Sequence, residues 1–306
     1  MALPVDELKE NTRKLFTKEE LGQYWNDLYA KVENCRDFHF VQRLEIVSAL
    51  ITERFPRSTR LLDLGCGAGV LTERLVAEGY NVDAVDMSPD MIEFSKQRLA
   101  KFDSSTYRLA RAECQSLPFT DAAFDVVACI GVFGYMDDVD AAIREIKRVL
   151  RPGGTLILSI RNLDHVTVFD GFFWLKAPFL ALPKAVWRRL SAKYAPKDTA
   201  AYPGKSSGNG GAASGNGTSA GSPRHAIAIY DRPRKVERIF ESFGFTLSDF
   251  RGAGYGPPTF RGKALVSEDG AKKLSRALDR AVHAARIERH AKWYADISVY
   301  VFEYLG

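Results

Sequence analysis

The chain has 306 residues, of which 46% are hydrophobic and 26% are charged, the composition of an ordinary globular protein. Its formal net charge of +5 is modest for this length, so we do not expect a dedicated nucleic-acid binder. The first residues are charged and no run of about 18 apolar residues occurs, so we expect neither a signal peptide nor a spanning helix. These features predict a cytoplasmic protein.

Residues 1–57 are predicted to form a helical N-terminal cap, because apolar side chains recur at helical spacing on both sides of a break near residues 34–37. Residues 58–162 then alternate predicted strands with predicted helices. The strands are 61–64, 81–86, 106–110, 124–130 and 155–160, and the helices are 69–78, 89–101 and 138–149. This alternation predicts an α/β fold with a doubly wound, Rossmann-like parallel sheet.

The turn after the first strand carries three glycines in the sequence Asp-Leu-Gly-Cys-Gly-Ala-Gly. Gly65, Gly67 and Gly69 permit a sharp turn and let a ligand lie against the backbone. Asp86 ends the second strand, 21 residues after Gly65, where a carboxylate can accept hydrogen bonds from both ribose hydroxyls. The segment is therefore predicted to bind a nucleoside.

Two residues of this turn bear on which nucleoside it binds. A dinucleotide fingerprint requires a glycine where this chain has Val70, and Asp63 would oppose a bound pyrophosphate. A nicotinamide-dependent oxidoreductase is therefore disfavoured, and a cationic ligand suits the carboxylate better.

The glycine turn and three later segments resemble, in the same order, the motifs of class I S-adenosylmethionine-dependent methyltransferases. The three later segments are 112–119, 124–127 and 148–154. The resemblance implies S-adenosylmethionine as the cofactor. It also implies a seven-stranded, mostly parallel sheet whose antiparallel last strand forms one edge. The predicted completion of the sheet is 231–306, with helices at 231–243 and 268–290 and strands at 245–250 and 297–304.

The resemblance also implies contacts to the donor. Asp63 would steer its methionine amino group, Gly65, Gly67 and Gly69 would let the backbone approach it, and Asp86 would hold the ribose. The remaining implied contacts are Met87 on the adenine face, Glu113 with the backbone of Cys114 at the adenine amine, Ile130 at the edge of the acceptor pocket, and Arg43 on the donor carboxylate.

The candidates for acceptor chemistry are Tyr135 and His225. Tyr135 occupies the slot where many small-molecule relatives carry a histidine, and a tyrosine is a poor base near neutral pH. His225 precedes a segment similar to quinone-pathway relatives, ending in Gly252-Ala-Gly-Tyr-Gly-Pro257, and is a candidate base; it could equally be a surface histidine. No histidine or cysteine spacing indicates a metal site.

Residues 163–230 form a predicted insertion after the fifth strand, with a flexible, Gly/Ser-rich loop at 203–222. Within it, residues 169–205 place large apolar side chains next to a basic run. This pattern predicts association with a membrane surface on the inner, cytoplasmic face, a lid over an apolar acceptor, or added core.

The sequence therefore predicts a methyltransferase acting on a small or lipid-like acceptor, with O-methylation of an aromatic or quinol-type hydroxyl favoured. The Pro-Pro-aromatic sequence of nucleic-acid amine methyltransferases is absent after the fourth strand, which argues against a nucleic-acid substrate. N- or C-methylation of another small molecule, and an inactive S-adenosylmethionine-binding partner protein, remain alternatives. No oligomeric state is predicted.

Overall fold

The structure is a computed structural model that describes Asp27, Tyr29 and residues 35–136, 138–162, 230–254, 259–260, 263–264, 267–286 and 295–306. The predictions for the insertion, including His225, the segment 169–205 and the Gly/Ser-rich loop, lie outside these residues, as does most of the first half of the N-terminal cap. The helices are α1 (Cys35–Arg54), α2 (Val70–Ala77), α3 (Pro89–Leu99), α4 (Val139–Val149), α5 (Pro233–Ser242) and α6 (Glu268–Ala284).

The strands are β1 (Leu61–Leu64), β2 (Val82–Asp86), β3 (Tyr107–Arg111), β4 (Phe124–Ile130), β5 (Leu150–Asn162), β6 (Tyr230–Asp231), β7 (Phe245–Ala253), β8 (Thr259–Phe260), β9 (Lys263–Ala264) and β10 (Ile297–Tyr304). The main sheet has the order β3-β2-β1-β4-β5-β10-β7, with β6 paired to β5, and β8 pairs with β9 separately. Pairing among β1 to β5 is parallel, and β10 is antiparallel to both of its neighbours. The predicted Rossmann-like sheet with an antiparallel last strand is confirmed.

The expected place of the antiparallel strand was wrong, because β10 lies between β5 and β7 and β7 forms the edge. The side chains of β10 explain this position. Tyr300 and Phe302 are almost fully buried, and Phe302 stacks on Phe240 of α5 with ring centroids 4.9 Å apart. An edge strand would leave much of this aromatic surface in water, and aromatic burial is a large stabilising contribution.

Successive side chains of the central strands belong in turn to two apolar clusters, one on each face of the sheet. In β4, Val127 and Cys129 enter the core cluster on one face, while Val126 and Ala128 enter the cluster on the other. A strand alternates its side chains between faces, so a parallel sheet covered by helices on both sides needs apolar residues at successive positions. The central strands, whose ends carry the site residues, are therefore packed on both faces.

Helix starts are fixed by local sequence. The Ser88 hydroxyl caps α3 by accepting a hydrogen bond from the backbone N–H of Met91, and Pro89 occupies the first turn. Asp138 caps α4 in the same way, with its carboxylate 2.8 Å from the nitrogen of Ala141. These caps place the helices directly after the loops that line the site.

Strand β5 begins five residues earlier than predicted. Phe124 pairs with Leu150 but Val126 pairs with Thr155, so the segment between Leu150 and Thr155 bulges out of the ladder. Gly153 has a φ of +74° within this bulge, a conformation that glycine adopts without strain. The first five residues of β5, Leu150–Gly154, therefore form an irregular extension of the predicted strand.

Helix α1 covers the carboxyl end of the sheet. Its apolar residues Leu44, Val47 and Ile51 pack in the same cluster as Leu71 and Leu75 of α2. Because Arg43 and Phe40 lie on the same helix, this packing sets both side chains over the strand ends.

Among the described residues, no helix is long and apolar enough to cross a bilayer.

Candidate active site

A cavity opens at the carboxyl ends of β1, β2, β4 and β5, under helix α1. The chain runs from β1 outward to β3 and then returns to β4 on the other side of β1, so this is the topological switch point where open α/β sheets bind ligands. The predicted site residues that line the cavity are Arg43, Asp63, Gly65, Gly67, Asp86, Met87, Ile130 and Tyr135.

The glycine turn forms one wall of this cavity. Gly67 has a φ of +54°, and a Cβ built on it would meet no atom within 4 Å, so its backbone faces open space. At Gly65, by contrast, a Cβ would lie 2.4 Å from Cγ2 of Val132. Gly65 is therefore needed for packing against the β4 loop, whereas Gly67 leaves a surface against which a ligand can lie.

Asp86 is held by two backbone N–H groups at the end of β2. Its Oδ2 accepts from the nitrogen of Gly67 and its Oδ1 from the nitrogen of Ser88, each at 2.9 Å. Burial raises the pKa of the Asp86 carboxyl, although both backbone hydrogen bonds act in the opposite direction. A carboxylate has about four acceptor sites, so the backbone N–H groups leave acceptor capacity on Asp86 for ligand hydroxyls.

Asp63 is buried on β1, where the hydroxyl of Thr72 donates to its Oδ2 at 2.6 Å. Burial raises the pKa of the Asp63 carboxyl to about 6; the Thr72 hydrogen bond lowers it, and the charge of Asp86 raises it. Two carboxylates therefore face the same end of the cavity. This end suits a ligand that brings a positive charge and hydrogen-bond donors.

Arg43 brings a buried guanidinium to the cavity from α1. Its Nη2 donates to the hydroxyl of Tyr29 at 2.7 Å, and the group lies 4.9 Å from the ring centre of Phe40. Among the described residues, its buried Nε has no hydrogen-bond partner. Arg43 also forms no ion pair with the carboxylates of the described part of the chain. A buried cation without an anionic partner is costly, so a ligand carboxylate would relieve that cost.

Gly131 makes room for this guanidinium. It has a φ of +75°, and a Cβ on it would lie 2.6 Å from Nη1 of Arg43. The sequence contains no local signal for this contact, because the helix and the β4 loop are far apart in the chain.

We expect Gly131→Ala to weaken S-adenosylmethionine binding roughly tenfold, since the methyl group would displace Arg43 from the cavity. Gly79→Ala is the matched control, because Gly79 also has a positive φ, +88°, but a Cβ there meets nothing within 4 Å. Calorimetric titration of both variants measures the difference. Equal losses in the two variants would show that backbone strain, and not Arg43, is responsible.

Three predicted donor contacts do not line the cavity formed by the described residues. A Cβ on Gly69 would approach Oγ of Ser95 at 2.8 Å, which makes Gly69 a packing residue between α2 and α3. Glu113 forms a bridge with Ser116 just after β3. The loop that carries Glu113 and Cys114 lies beside Asp86, because the backbone N–H of Ala112 donates to the Asp86 carbonyl oxygen at 3.0 Å. Burial and, to a lesser degree, the charge of Asp86 raise the pKa of the Cys114 thiol to about 12.

The sequence analysis did not identify the residues with which β5 lines the cavity. Ser159 and Arg161 line the cavity, and Arg161 donates from Nη2 to both oxygens of Asp296 at 3.0 and 3.1 Å. His39 of α1 lies 3.0 Å from the same carboxylate. The rule that ligands bind at the carboxyl ends of parallel strands could have identified Arg161 near the end of the fifth strand.

No group of three or more metal-ligating side chains occurs within the part of the chain that the structure describes. The charged groups among the described residues that line the cavity are instead two carboxylates at the β1–β2 end and two guanidiniums toward α1 and β5. This charge pattern matches a zwitterionic ligand with an additional cation, and the open face of Gly67 provides space for it. S-adenosylmethionine has this combination of a sulfonium, an amino group, a carboxylate and a ribose diol.

Residues 62–158 match the methyltransferase-domain family. The ubiquinone biosynthesis O-methyltransferase of Xanthomonas oryzae pv. oryzae is 36% identical over 123 residues, covering 39% of this chain and 49% of that protein. The sterol 4-C-methyltransferase strm-1 of Caenorhabditis elegans is 30% identical over 135 residues, covering 40% of each chain. The chain thus spans about half the length, or less, of these relatives.

Among solved structures, a chain of the complex between the Haloferax volcanii Trm112 methyltransferase activator and its proposed methyltransferase has a TM-score of 0.51. It is 16% identical, and the similarity covers 96% of this chain and 98% of that one, which supports the fold. The motif order, the strand order and the family match agree, and S-adenosylmethionine is the methyl donor that they imply. Residues 62–158 are accordingly the core of a class I S-adenosylmethionine-dependent methyltransferase domain.

Proposed function

We propose that this protein transfers a methyl group from S-adenosylmethionine to oxygen on an aromatic or quinol-type ring of a small or lipid-like acceptor. The proposal is supported by a single cavity whose two ends carry different polar side chains. Asp63 and Asp86 lie at the β1–β2 end, and Tyr135 and Arg161 at the β4–β5 end. Apolar side chains line the space between these polar groups: Phe40, Leu44, Leu71, Met91, Ile130 and Val132.

The donor supplies a methyl group on a sulfonium, which an acceptor can take by in-line displacement. For such a reaction the protein mainly holds the two partners at attack distance and excludes water. We assign Asp86 to the ribose, Asp63 to the amino group and Arg43 to the carboxylate of the donor. The other proposed donor contacts within the cavity are Met87, Ile130, Gly65 and Gly67. We also keep Glu113 and the backbone of Cys114, which do not line the cavity formed by the described residues, as proposed contacts to the adenine amine.

Acceptor chemistry is assigned to Tyr135 and His225. Tyr135 lines the cavity within the short helix Phe133–Tyr135 that follows β4, where its hydroxyl can hydrogen-bond an acceptor oxygen. We propose His225 as the base that removes the acceptor proton. His225→Ala should then lower turnover roughly a hundredfold with donor affinity unchanged. Turnover at the wild-type rate in this variant would remove His225 from the mechanism.

The O-methylation proposal is supported by the ubiquinone-pathway relative, whereas the sterol relative favours C-methylation as a second candidate. Purified protein with labelled S-adenosylmethionine and a panel of catechols, hydroquinones, sterols and amines distinguishes these reactions. Methylated catechol or hydroquinone is the expected product. Donor binding without transfer to any member of the panel would favour an inactive binding partner.

We also propose that the protein works in the cytoplasm and contacts the inner membrane face through residues 169–205. The support is the sequence of that segment, in which large apolar side chains precede a basic run. Such a surface is attracted to anionic headgroups, and the attraction weakens as salt rises. Co-sedimentation with anionic vesicles at low salt is the expected behaviour, and protein that stays in the supernatant would refute it.

A further inference from the structure

We propose that the hydroxyl of Ser159 on β5 binds the carboxylate of the methyl donor, together with the guanidinium of Arg43. This inference rests on the proposed function, which assigns that carboxylate to Arg43, and it adds a second residue from another part of the fold. Both residues line the cavity, and each has a buried polar atom without a hydrogen-bond partner among the described residues: Oγ of Ser159 and Nε of Arg43. Most buried polar atoms in proteins are paired, so a ligand group that contacts both would remove two unfavourable contributions.

The side chain of Ser159 points toward helix α1. Leu158 and Ile160 belong to the apolar cluster on one face of the sheet, whereas Ile157 belongs to the cluster on the other face, which contains Leu44 of α1. Side chains alternate between the two faces along a strand, so Ser159 shares the face of Ile157. Its hydroxyl therefore lies on the side of the sheet that α1 covers.

The residues paired with Ser159 on the two neighbouring strands are apolar. They are Ile130 of β4 and Val299 of β10. Val299 is buried in the cluster that faces α1, and Ile130 packs against the same cluster. We therefore expect a hydrogen-bond partner for the Ser159 hydroxyl to come from the cavity, which Ser159 and Ile130 both line.

Gly131 contacts both proposed carboxylate ligands. Its backbone N–H donates to the carbonyl oxygen of Ser159 at 3.1 Å, and a Cβ built on it would lie 2.6 Å from Nη1 of Arg43. One carboxylate has two oxygens and about four acceptor sites, so it can accept from the guanidinium and from the hydroxyl together. A neutral phenol oxygen beside Ser159 would instead leave the buried guanidinium without an anion. The carboxylate of the donor is therefore favoured over the oxygen of the acceptor.

The donor is long enough to reach from Asp86 to Ser159. Strand β5 is separated from β2, where Asp86 lies, by β1 and β4, a distance of about 14 Å across the sheet. A chain of about seven bonds joins the ribose of S-adenosylmethionine to its carboxylate carbon, which is roughly 8 Å when extended. A hydrogen bond of about 3 Å at each end increases this reach to about 14 Å. A donor whose ribose binds Asp86 can therefore place its carboxylate at Ser159.

The test compares S-adenosylmethionine with its decarboxylated analogue, which keeps the adenosine, the sulfonium and the amino group. Calorimetric titration of the full-length protein measures the affinity for each. Ser159→Ala should weaken S-adenosylmethionine binding roughly fivefold and leave the affinity for the analogue unchanged, because only the carboxylate loses a hydrogen bond. Thermal stability should not fall, since the hydroxyl has no partner among the described residues to lose.

Ser298→Ala is the matched control. Ser298 is a buried serine of the neighbouring β10, but it does not line the cavity, so its replacement should leave both affinities at the wild-type values. Unchanged S-adenosylmethionine affinity in Ser159→Ala, an equal loss for the two ligands, or an equal loss in Ser298→Ala would overturn the inference. A higher acceptor KM in Ser159→Ala with unchanged donor affinity would also overturn it, by placing the hydroxyl at the acceptor.

These titrations contain no acceptor, so their result is independent of the proposed reaction. A carboxylate-selective loss in Ser159→Ala, in a protein that methylates no aromatic or quinol-type acceptor, would remove only the proposed reaction. Methylation of such an acceptor, with no carboxylate-selective loss in Ser159→Ala, would remove only this inference.

Discussion

Replacing Asp86 with asparagine should weaken S-adenosylmethionine binding roughly a hundredfold. A carboxylate that accepts from two ribose hydroxyls contributes about 3 kcal/mol through charge-assisted hydrogen bonds, and each 1.4 kcal/mol changes Kd tenfold. In addition, the amide cannot accept from both Gly67 and Ser88, whose N–H groups now hold the carboxylate at 2.9 Å each. The glycine turn and the start of α3 would then no longer both donate hydrogen bonds to the side chain of residue 86.

Asp83→Asn is the control for this prediction. Asp83 lies on the same strand but pairs with Arg108 on β3, and it does not line the cavity. Calorimetry should find its affinity for S-adenosylmethionine unchanged. Circular dichroism establishes that both variants are folded. A folded Asp86→Asn protein that binds the donor as tightly as wild type would remove the ribose assignment.

Replacing Asp63 with asparagine should change stability and binding in opposite directions. At pH 7 the variant should be more stable than the unliganded wild type by roughly 2 kcal/mol, because it removes a buried charge. Its affinity for S-adenosylmethionine should fall roughly tenfold, since the donor's amino group loses an anionic neighbour. A residue that only supports the fold would lower stability when replaced.

The pH dependence of stability gives a second check on Asp63. Its folded pKa of about 6 lies above its ordinary value of 3.8, so the folded state binds the proton more tightly than the unfolded state does. This carboxyl therefore lowers wild-type stability progressively as pH rises from about 4 to 6. Urea unfolding should show the largest advantage of Asp63→Asn at pH 7 and a small one at pH 4. An advantage that does not vary with pH would contradict the assigned titration.

The donor half of the site could be predicted from sequence because its signals are local. Gly65, Gly67 and Asp86 belong to one strand-turn-helix-strand unit, and the hydrogen bond from Gly67 to Asp86 closes within that unit. Such spacing is set by covalent connection and by short loops, so it can be read from the chain. The helix caps at Ser88 and Asp138 are local in the same way.

The side of the cavity formed by α1, the β4 loop and β5 could not be predicted in the same way, because its contacts join distant parts of the chain. Arg161 pairs with Asp296, and Gly131 makes room for Arg43; neither contact has a local pattern. The interior position of β10 depends on long-range packing too. Its six successive buried residues, Ile297 to Phe302, are nevertheless typical of a strand covered on both faces and could have indicated that position.

A crystal structure of the protein with S-adenosylhomocysteine would show whether this cavity binds the methyl donor in one defined direction. We expect the ribose hydroxyls on Asp86, the amino group near Asp63 and the carboxylate on Arg43. A nucleoside bound away from Asp86, or a carboxylate directed toward Asp63 while Arg43 remains without a ligand, would contradict it.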